Sequence, residues 1–157
     1  MTGGGSSTAA VQALLRVLAV GRDCAELGTA YGEGAAALAE TARTVLTVEC
    51  DAERAAAARG RLEGLPNVEP LEGDCYELLR GRGPFGLVFA DGGRPFDRDA
   101  IIGLLAPGGF LVKDDLTPGR PVEGDDVREA LLRDPRLLGV EILTTPTTAA
   151  IVAVRTG

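Results

Sequence analysis

The chain has 157 residues, a formal net charge of −7 and no histidine. This length suits one domain with a sizeable core. The acidic balance and the lack of a Lys/Arg cluster disfavour nucleic acid as a partner, and without histidine the usual Ser-His and Cys-His catalytic pairs are excluded. No apolar run approaches the roughly 18 residues of a membrane span. Three cysteines without a secretory signal predict a reducing, cytoplasmic location.

The first half of the chain predicts alternating helices and strands after a Gly/Ser-rich segment, residues 1–7, which we expect to be disordered. Apolar residues at helical spacing predict a helix over 8–20. Short apolar or β-branched runs predict strands at 23–27, 45–48 and 68–71, and the segments between and after them predict helices at 33–43, 52–62 and 76–80. Asp51 is a suitable N-cap for the helix over 52–62.

The second half continues the alternation, with strands at 87–90 and 110–113 and helices at 97–105 and from Asp125 or Asp126 to 133. Pro-Gly-Gly at 107–109 predicts a turn, and the Pro- and Gly-rich segment 117–124 predicts a loop. Runs at 139–143 and 149–154, joined by 144–148, predict a closing hairpin. The fold class is therefore α/β: a single-domain, doubly wound Rossmann-like sheet, mostly parallel, with a C-terminal antiparallel hairpin strand.

A Gly-rich turn, residues 26–32, follows the first predicted strand, where open α/β sheets bind ligands. The dinucleotide pattern Gly-x-Gly-x-x-Gly would need glycine at Ala30 and Glu33, which argues against NAD. The turn instead fits the S-adenosylmethionine (SAM) pattern acidic-x-Gly-x-Gly-x-Gly, with Ala30 in place of the middle glycine. The cofactor contacts expected here are Glu26, Gly28, Thr29, Ala30, Tyr31 and Gly32.

Acidic residues lie at the carboxyl ends of three consecutive predicted strands: Glu26, Glu49 and Asp74. Glu49 can accept hydrogen bonds from both ribose hydroxyls of a nucleoside, or it is a surface residue at a strand end. Asp74 can accept from an adenine amino group, cap the following helix, or do both. Cys50 and Cys75 adjoin these positions and are expected cofactor contacts, the alternative being small buried hydrophobes.

Over nearly its whole length the sequence resembles class I SAM-dependent methyltransferases, and most closely the small-molecule O-methyltransferases of the catechol type. The matching segments are 26–34, 47–59, 73–74, 85–91 and 105–115. The resemblance implies SAM as cofactor, a small molecule as methyl acceptor, and Asp91 as a cofactor contact and catalytic residue. It also implies a magnesium ion held by Asp91, Asp114 and Asp115; the alternative is that Asp114 and Asp115 only organise a loop.

Three features depart from that family. Asp115 stands where the family has asparagine. Arg94 stands where a lysine resembles a general base, and because arginine does not give up its proton, this candidate catalytic residue would bind an acidic substrate or an oxyanion, or be a solvated loop charge. The segment before the first strand is short, so the acceptor site is open, covered by a partner subunit in a homodimer, or formed by 117–124.

Two alternative functions remain. One is a fold module that binds cofactor without catalysis, and the other is a metal-independent methyltransferase with another acceptor.

Overall fold

A computed structural model describes residues 7–92 and 95–157. Its helices are α1 (Ala9–Ala19), α2 (Glu33–Ala39), α3 (Ala52–Leu62), α4 (Cys75–Leu79), α5 (Arg98–Leu104) and α6 (Asp126–Arg133). Its strands are β1 (Asp23–Leu27), β2 (Thr44–Glu49), β3 (Val68–Glu72), β4 (Phe85–Ala90), β5 (Leu105–Leu116), β6 (Leu137–Leu143) and β7 (Ala149–Arg155). No helix in these two described ranges is both long enough and apolar enough to span a membrane.

The seven strands form one sheet in the order β3-β2-β1-β4-β5-β7-β6. Strands β1 to β5 pair in parallel, and β7 pairs antiparallel with both β5 and β6. The predicted fold class is confirmed, including the antiparallel strand of the closing hairpin. The strand order reverses between β1 and β4, and ligands of such sheets bind at this switch point, outside the carboxyl ends of the strands.

Apolar side chains are buried on both faces of the sheet because helices cover both. In β4 the successive residues Leu87, Val88 and Phe89 are all fully buried. Leu87 and Phe89 pack in the cluster that contains Leu15 of α1, whereas Val88 packs in the cluster on the other face. Each such side chain contributes roughly 1.5–3 kcal/mol of hydrophobic stabilisation, so the central strands fix the positions of the loops that follow them.

Side-chain caps define where most helices begin. The N-cap residues whose side chains accept a hydrogen bond from a helix backbone N–H are Thr8, Asp51, Asp74, Asp97 and Asp125. Each is worth about 1 kcal/mol. The cap of α6 is therefore Asp125 rather than Asp126, which settles the two alternatives.

Most predicted elements agree with the observed ones to within two residues at each end, and three differences go further. Helix α2 ends at Ala39 instead of 43, because the Thr41 hydroxyl donates to the Arg16 carbonyl (2.6 Å) and the chain turns there. The turn predicted at 107–109 lies inside β5 as a bulge: Phe85 pairs with Leu105 and Leu87 with Phe110. Residues 1–6 of the predicted tail lie outside the described ranges, whereas Ser7 is buried and its carbonyl accepts from the Gln12 side chain (2.8 Å).

Candidate active site

A cavity of about 330 Å³ lies at the carboxyl ends of β1 to β4 and is called the main cavity below. The loops that follow these four strands supply its walls, as expected for a switch-point site. The residues of the predicted site that line it are Gly28, Ala30, Glu49, Cys50, Asp74, Cys75, Asp91 and Asp115. Cys50 is exposed, so its interpretation as a small buried hydrophobe is wrong, whereas Cys75 is half-buried and packs against the core.

The turn after β1 packs directly against the turn after β4. Gly28 has φ +92°, and a Cβ added there would lie 2.4 Å from Cα of Gly92. Backbone N–H groups of Asp91 and Gly92 both donate to the Leu27 carbonyl, at 3.0 and 2.5 Å. A side chain at position 28 would separate the two turns, so glycine is required here for packing as well as for its conformation.

Ala30 and Glu49 hold each other in place. Ala30 has φ +47°, a left-handed conformation that disfavours a residue with a Cβ by about 1–2 kcal/mol. Its N–H donates to Oε2 of Glu49 (2.8 Å), and the N–H of Asp51 donates to Oε1 (3.0 Å). Glu49 is 5% exposed. The Cys50 thiol also lies 3.7 Å from Oε1. Two backbone donors therefore fix a nearly buried carboxylate against the main cavity, with an acceptor position left on Oε2.

Asp74 caps α4 and lines the main cavity. Its Oδ1 accepts from the N–H groups of Tyr76 (2.9 Å) and Glu77 (3.1 Å). The capping role is thus confirmed, and it leaves Oδ2 outside these two bonds. The Tyr76 hydroxyl donates to the Pro95 carbonyl (3.1 Å) and accepts from the N–H of Asp97 (3.1 Å), which ties α4 to the segment that leads into α5.

Sequence reasoning missed two aromatic residues of the main cavity, Tyr76 and Phe96. The chain contains only two Tyr and four Phe, so an aromatic residue two positions after Asp74 was a usable signal. Lys113, the single lysine, also lines the cavity and its Nζ donates to the Asp114 carbonyl (2.9 Å).

The other predicted contacts of the Gly-rich turn do not line the main cavity: Glu26, Thr29, Tyr31 and Gly32. Glu26 is 1% exposed and accepts from the Thr47 hydroxyl (2.5 Å), which also pairs with the Thr29 hydroxyl (2.6 Å). Burial, and then the nearby carboxyl groups, raise the pKa of Glu26 well above its usual range. The contact of these four residues with a cofactor stays a prediction.

The carboxyl groups of Asp91, which directly follows β4, and Asp114, near the end of β5, are neighbours. Burial, followed by the nearby Asp114 carboxyl, raises the pKa of Asp91 to about 8. Burial also raises the pKa of Asp114, which is 5% exposed. Like charges this close do not both ionise readily, so the pair retains a proton at neutral pH.

The structure does not support the predicted magnesium site at Asp91, Asp114 and Asp115. Within residues 7–92 and 95–157, no three Asp, Glu or Cys side chains are arranged to hold a metal ion. Asp115 has φ +61° and an exposed side chain, whereas Asp114 is buried, so the two adjacent carboxyl groups differ in direction and burial and do not form a metal-binding set with Asp91. Arg94, the other predicted catalytic residue, lies outside the described residues.

Comparison with known proteins relates the chain to O-methyltransferases, although no family model matches it. A protein-L-isoaspartate O-methyltransferase from Rhodopseudomonas palustris (strain BisB5) is 34% identical over 121 residues, which cover 76% of this chain and 52% of the relative. The chain thus spans about half the length of the curated relatives it matches.

Two solved structures share the architecture. The O-methyltransferase TomG from Streptomyces achromogenes, in complex with SAM, superposes with a TM-score of 0.76 at 23% identity, covering 97% of this chain and 82% of that one. An O-methyltransferase from Bacillus cereus, in complex with SAH (S-adenosylhomocysteine), also gives 0.76, at 19% identity and with 99% and 84% covered. The chain therefore has the Rossmann-like fold of these methyltransferases.

Proposed function

We propose that this protein is a SAM-dependent methyltransferase that methylates an oxygen atom of a small molecule. The observation that carries the proposal is the Glu49 carboxylate, which two backbone N–H groups hold against the main cavity. A carboxylate held in this way suits a pair of vicinal hydroxyls, such as those of a ribose. The cofactors of the two solved structures and the names of the curated relatives support the same activity.

The other residues of the main cavity fit the remaining groups of SAM. Asp74 has an oxygen outside its capping bonds that can accept from the adenine amino group. Tyr76 and Phe96 supply aromatic surface for the base. The methionine ammonium and the sulfonium are cationic, and Asp91 and Asp115 on the same wall complement that charge. When bound, SAM supplies a methyl group on a good leaving group.

The residues of this chain then have to align the acceptor and take its proton. Asp91 is the described residue best placed to do so, because it directly follows β4 and lines the main cavity. Its pKa of about 8 is near ordinary cellular pH, which suits a group that must both hold and release a proton. Arg94 lies outside the described residues, and its role toward an acidic group or an oxyanion stays a prediction.

Calorimetry with SAM, SAH and NAD tests the cofactor assignment. We expect SAM and SAH to bind and NAD not to; failure of both SAM and SAH at about millimolar concentration, roughly −4 kcal/mol of binding free energy, would refute the proposal. Transfer of a labelled methyl group from SAM to a panel of alcohols, phenols and acids tests the reaction. Cofactor binding without transfer to any member would favour the alternative, a fold module without catalysis, and transfer to nitrogen or carbon would favour a methyltransferase of another acceptor class.

A further inference from the structure

A second, smaller cavity of about 50 Å³ lies beside the main cavity. Asp91 and Asp115 line both cavities, so a group in one is a neighbour of a group in the other. The remaining wall comes from three separate elements: Asp114 of β5, Thr8 and Val11 at the start of α1, and Thr144 and Thr148 in the turn between β6 and β7. The volume suffices for one or two water-sized groups, so a hydroxyl and the carbon that carries it fit, whereas a ring does not.

One atom of this wall lacks a partner. Asp114 is 5% exposed, and its Oδ1 is buried without a hydrogen-bond donor among the described residues. The threonine hydroxyls of the hairpin are engaged with one another, Thr144 with Thr148 at 3.0 Å and Thr145 with Thr148 at 2.6 Å. A proton on the Asp91 carboxyl can fill one acceptor position of the Asp114 carboxylate, which has about four, so other positions remain for a ligand. Buried polar atoms rarely stay unpaired, so this oxygen marks a place for a donor brought in by a ligand.

The charge of the wall decides which donors are suitable. Three carboxyl groups, Asp91, Asp114 and Asp115, line the second cavity, and among the described residues no Lys or Arg does. Lys113 lines only the main cavity, where its Nζ is bound to a backbone carbonyl. A carboxylate ligand would be repelled and would bring no hydrogen to Asp114. A protonated amine would bind, but the same carboxylates hold its proton in place, and without a lone pair it cannot attack a methyl group.

We propose that the second cavity is the acceptor subsite and that it selects an alcohol or phenol hydroxyl over a carboxylate, with Asp114 accepting the hydroxyl hydrogen. This inference rests on the proposed function. In the reaction the hydroxyl oxygen forms a bond to the methyl carbon, the carbon–sulfur bond breaks with its electron pair going to sulfur, and the hydroxyl proton passes to the Asp91–Asp114 carboxyl pair. The products are an O-methyl ether and SAH. The curated relatives are named for L-isoaspartate, a residue with a free carboxyl group, so this chain would differ from them in its acceptor.

Head-group selectivity can be measured with benzyl alcohol, benzylamine and benzoate, which differ only in that group, and with an L-isoaspartyl peptide. The protein is saturated with SAH, metal ions are chelated, and binding is followed by ligand-observed NMR. We expect benzyl alcohol and benzylamine to bind and compete with each other, and benzoate and the peptide to bind at least tenfold more weakly. With labelled SAM, methyl transfer is expected to alcohols or phenols and not to benzylamine or the peptide.

Asp114→Asn tests the contact, with Asp126→Asn as the matched control because Asp126 is an exposed aspartate outside both cavities. We expect Asp114→Asn to weaken benzyl alcohol binding at least tenfold while the Kd for SAH changes less than twofold, and Asp126→Asn to change neither. The unfolding temperature of each variant establishes that it is folded, and the ranking of head groups in the unaltered protein remains decisive if Asp114→Asn does not fold.

Four results would overturn the inference: equal or tighter binding of benzoate or the peptide, methyl transfer to the peptide, alcohol binding that is unaffected by Asp114→Asn, or no alcohol binding at about 10 mM, roughly −3 kcal/mol. Alcohol binding that appears only when magnesium is restored would overturn the direct contact as well. These results are distinct from failure of the proposed function, which would show as absence of SAH binding in the unaltered protein.

Discussion

Replacing Glu49 with glutamine tests how the main cavity recognises a nucleoside. The substitution keeps the size of the side chain and one oxygen, but removes the negative charge and turns one acceptor into a donor. One of the two backbone N–H groups that now bond to the carboxylate, those of Ala30 and Asp51, loses its acceptor. A hydrogen bond to a charged group is worth about 1.5–3 kcal/mol, and loss of one such bond to a ribose hydroxyl weakens binding roughly 10- to 100-fold.

Isothermal titration with SAH gives the Kd of the unaltered protein and of Glu49→Gln. Glu72→Gln is the matched control, because Glu72 pairs with Glu49 in the adjacent strand β3 but is exposed, bonded to Arg59 (3.0 Å) and absent from the main cavity. We expect the control to bind SAH as the unaltered protein does. Unfolding temperatures separate a loss of stability from a loss of affinity.

A SAH analogue without the ribose 2′-hydroxyl sharpens the measurement. If Glu49 binds that hydroxyl, the substitution and the missing hydroxyl remove the same interaction, so their effects on the binding free energy are not additive. Equal affinity of Glu49→Gln and the unaltered protein for SAH, or fully additive effects with the analogue, would refute the assignment of Glu49 to the ribose.

Three further outcomes are expected. Gly28→Ala should lower the free energy of unfolding by about 2 kcal/mol or more, because its Cβ would meet Gly92, whereas Gly64→Ala, with a similar φ but open space around it, should cost about 1 kcal/mol; equal losses in urea titrations would contradict this. Alkylation of the exposed Cys50 with iodoacetamide should abolish SAH binding in calorimetry, and normal binding by the alkylated protein would contradict its place on the cavity wall. Since the pKa of Asp91 is raised to about 8 in the folded state, the folded protein binds more protons than the unfolded one, so stability should fall as pH rises from about 5 to 8, by up to about 1.4 kcal/mol per pH unit; Asp91→Asn should flatten this slope in thermal unfolding, and an unchanged slope would count against it.

The order of elements was predictable from the sequence because local signals agree with the fold. Asp51 sits directly before an Ala-rich helical segment and caps α3, and the apolar run of β4 is continuous because both faces of that strand are covered. The bulge in β5 was not predictable in the same way. Pro107 and the two glycines after it are ordinary turn residues, and they lie within a strand because Leu105 and Phe110 on either side of them both pair with β4.

The cofactor wall was partly predictable for a similar reason. Glu49, Asp74 and Asp91 follow consecutive parallel strands, so strand topology alone brings them to one edge. The role of Glu26 depends on how side chains pack. Its carboxyl group lies against α2, where a Cβ added at Gly34 would be 2.2 Å from Oε1. The sequence pattern alone does not predict the direction in which this side chain points. The convergence of Asp91, Asp114 and Asp115 depended on the backbone angle at Asp115, which the sequence Asp-Asp does not specify.

The two cavities draw on different stretches of the chain. Every described residue that lines the main cavity falls between Leu27 and Asp115, whereas the second cavity adds residues from α1 and from the hairpin between β6 and β7: Thr8, Val11, Thr144 and Thr148. A substitution at any of these four positions reshapes the second cavity without altering a residue of the main one. Mutation and selection can therefore change the second cavity of this fold while the residues that line the main cavity stay the same.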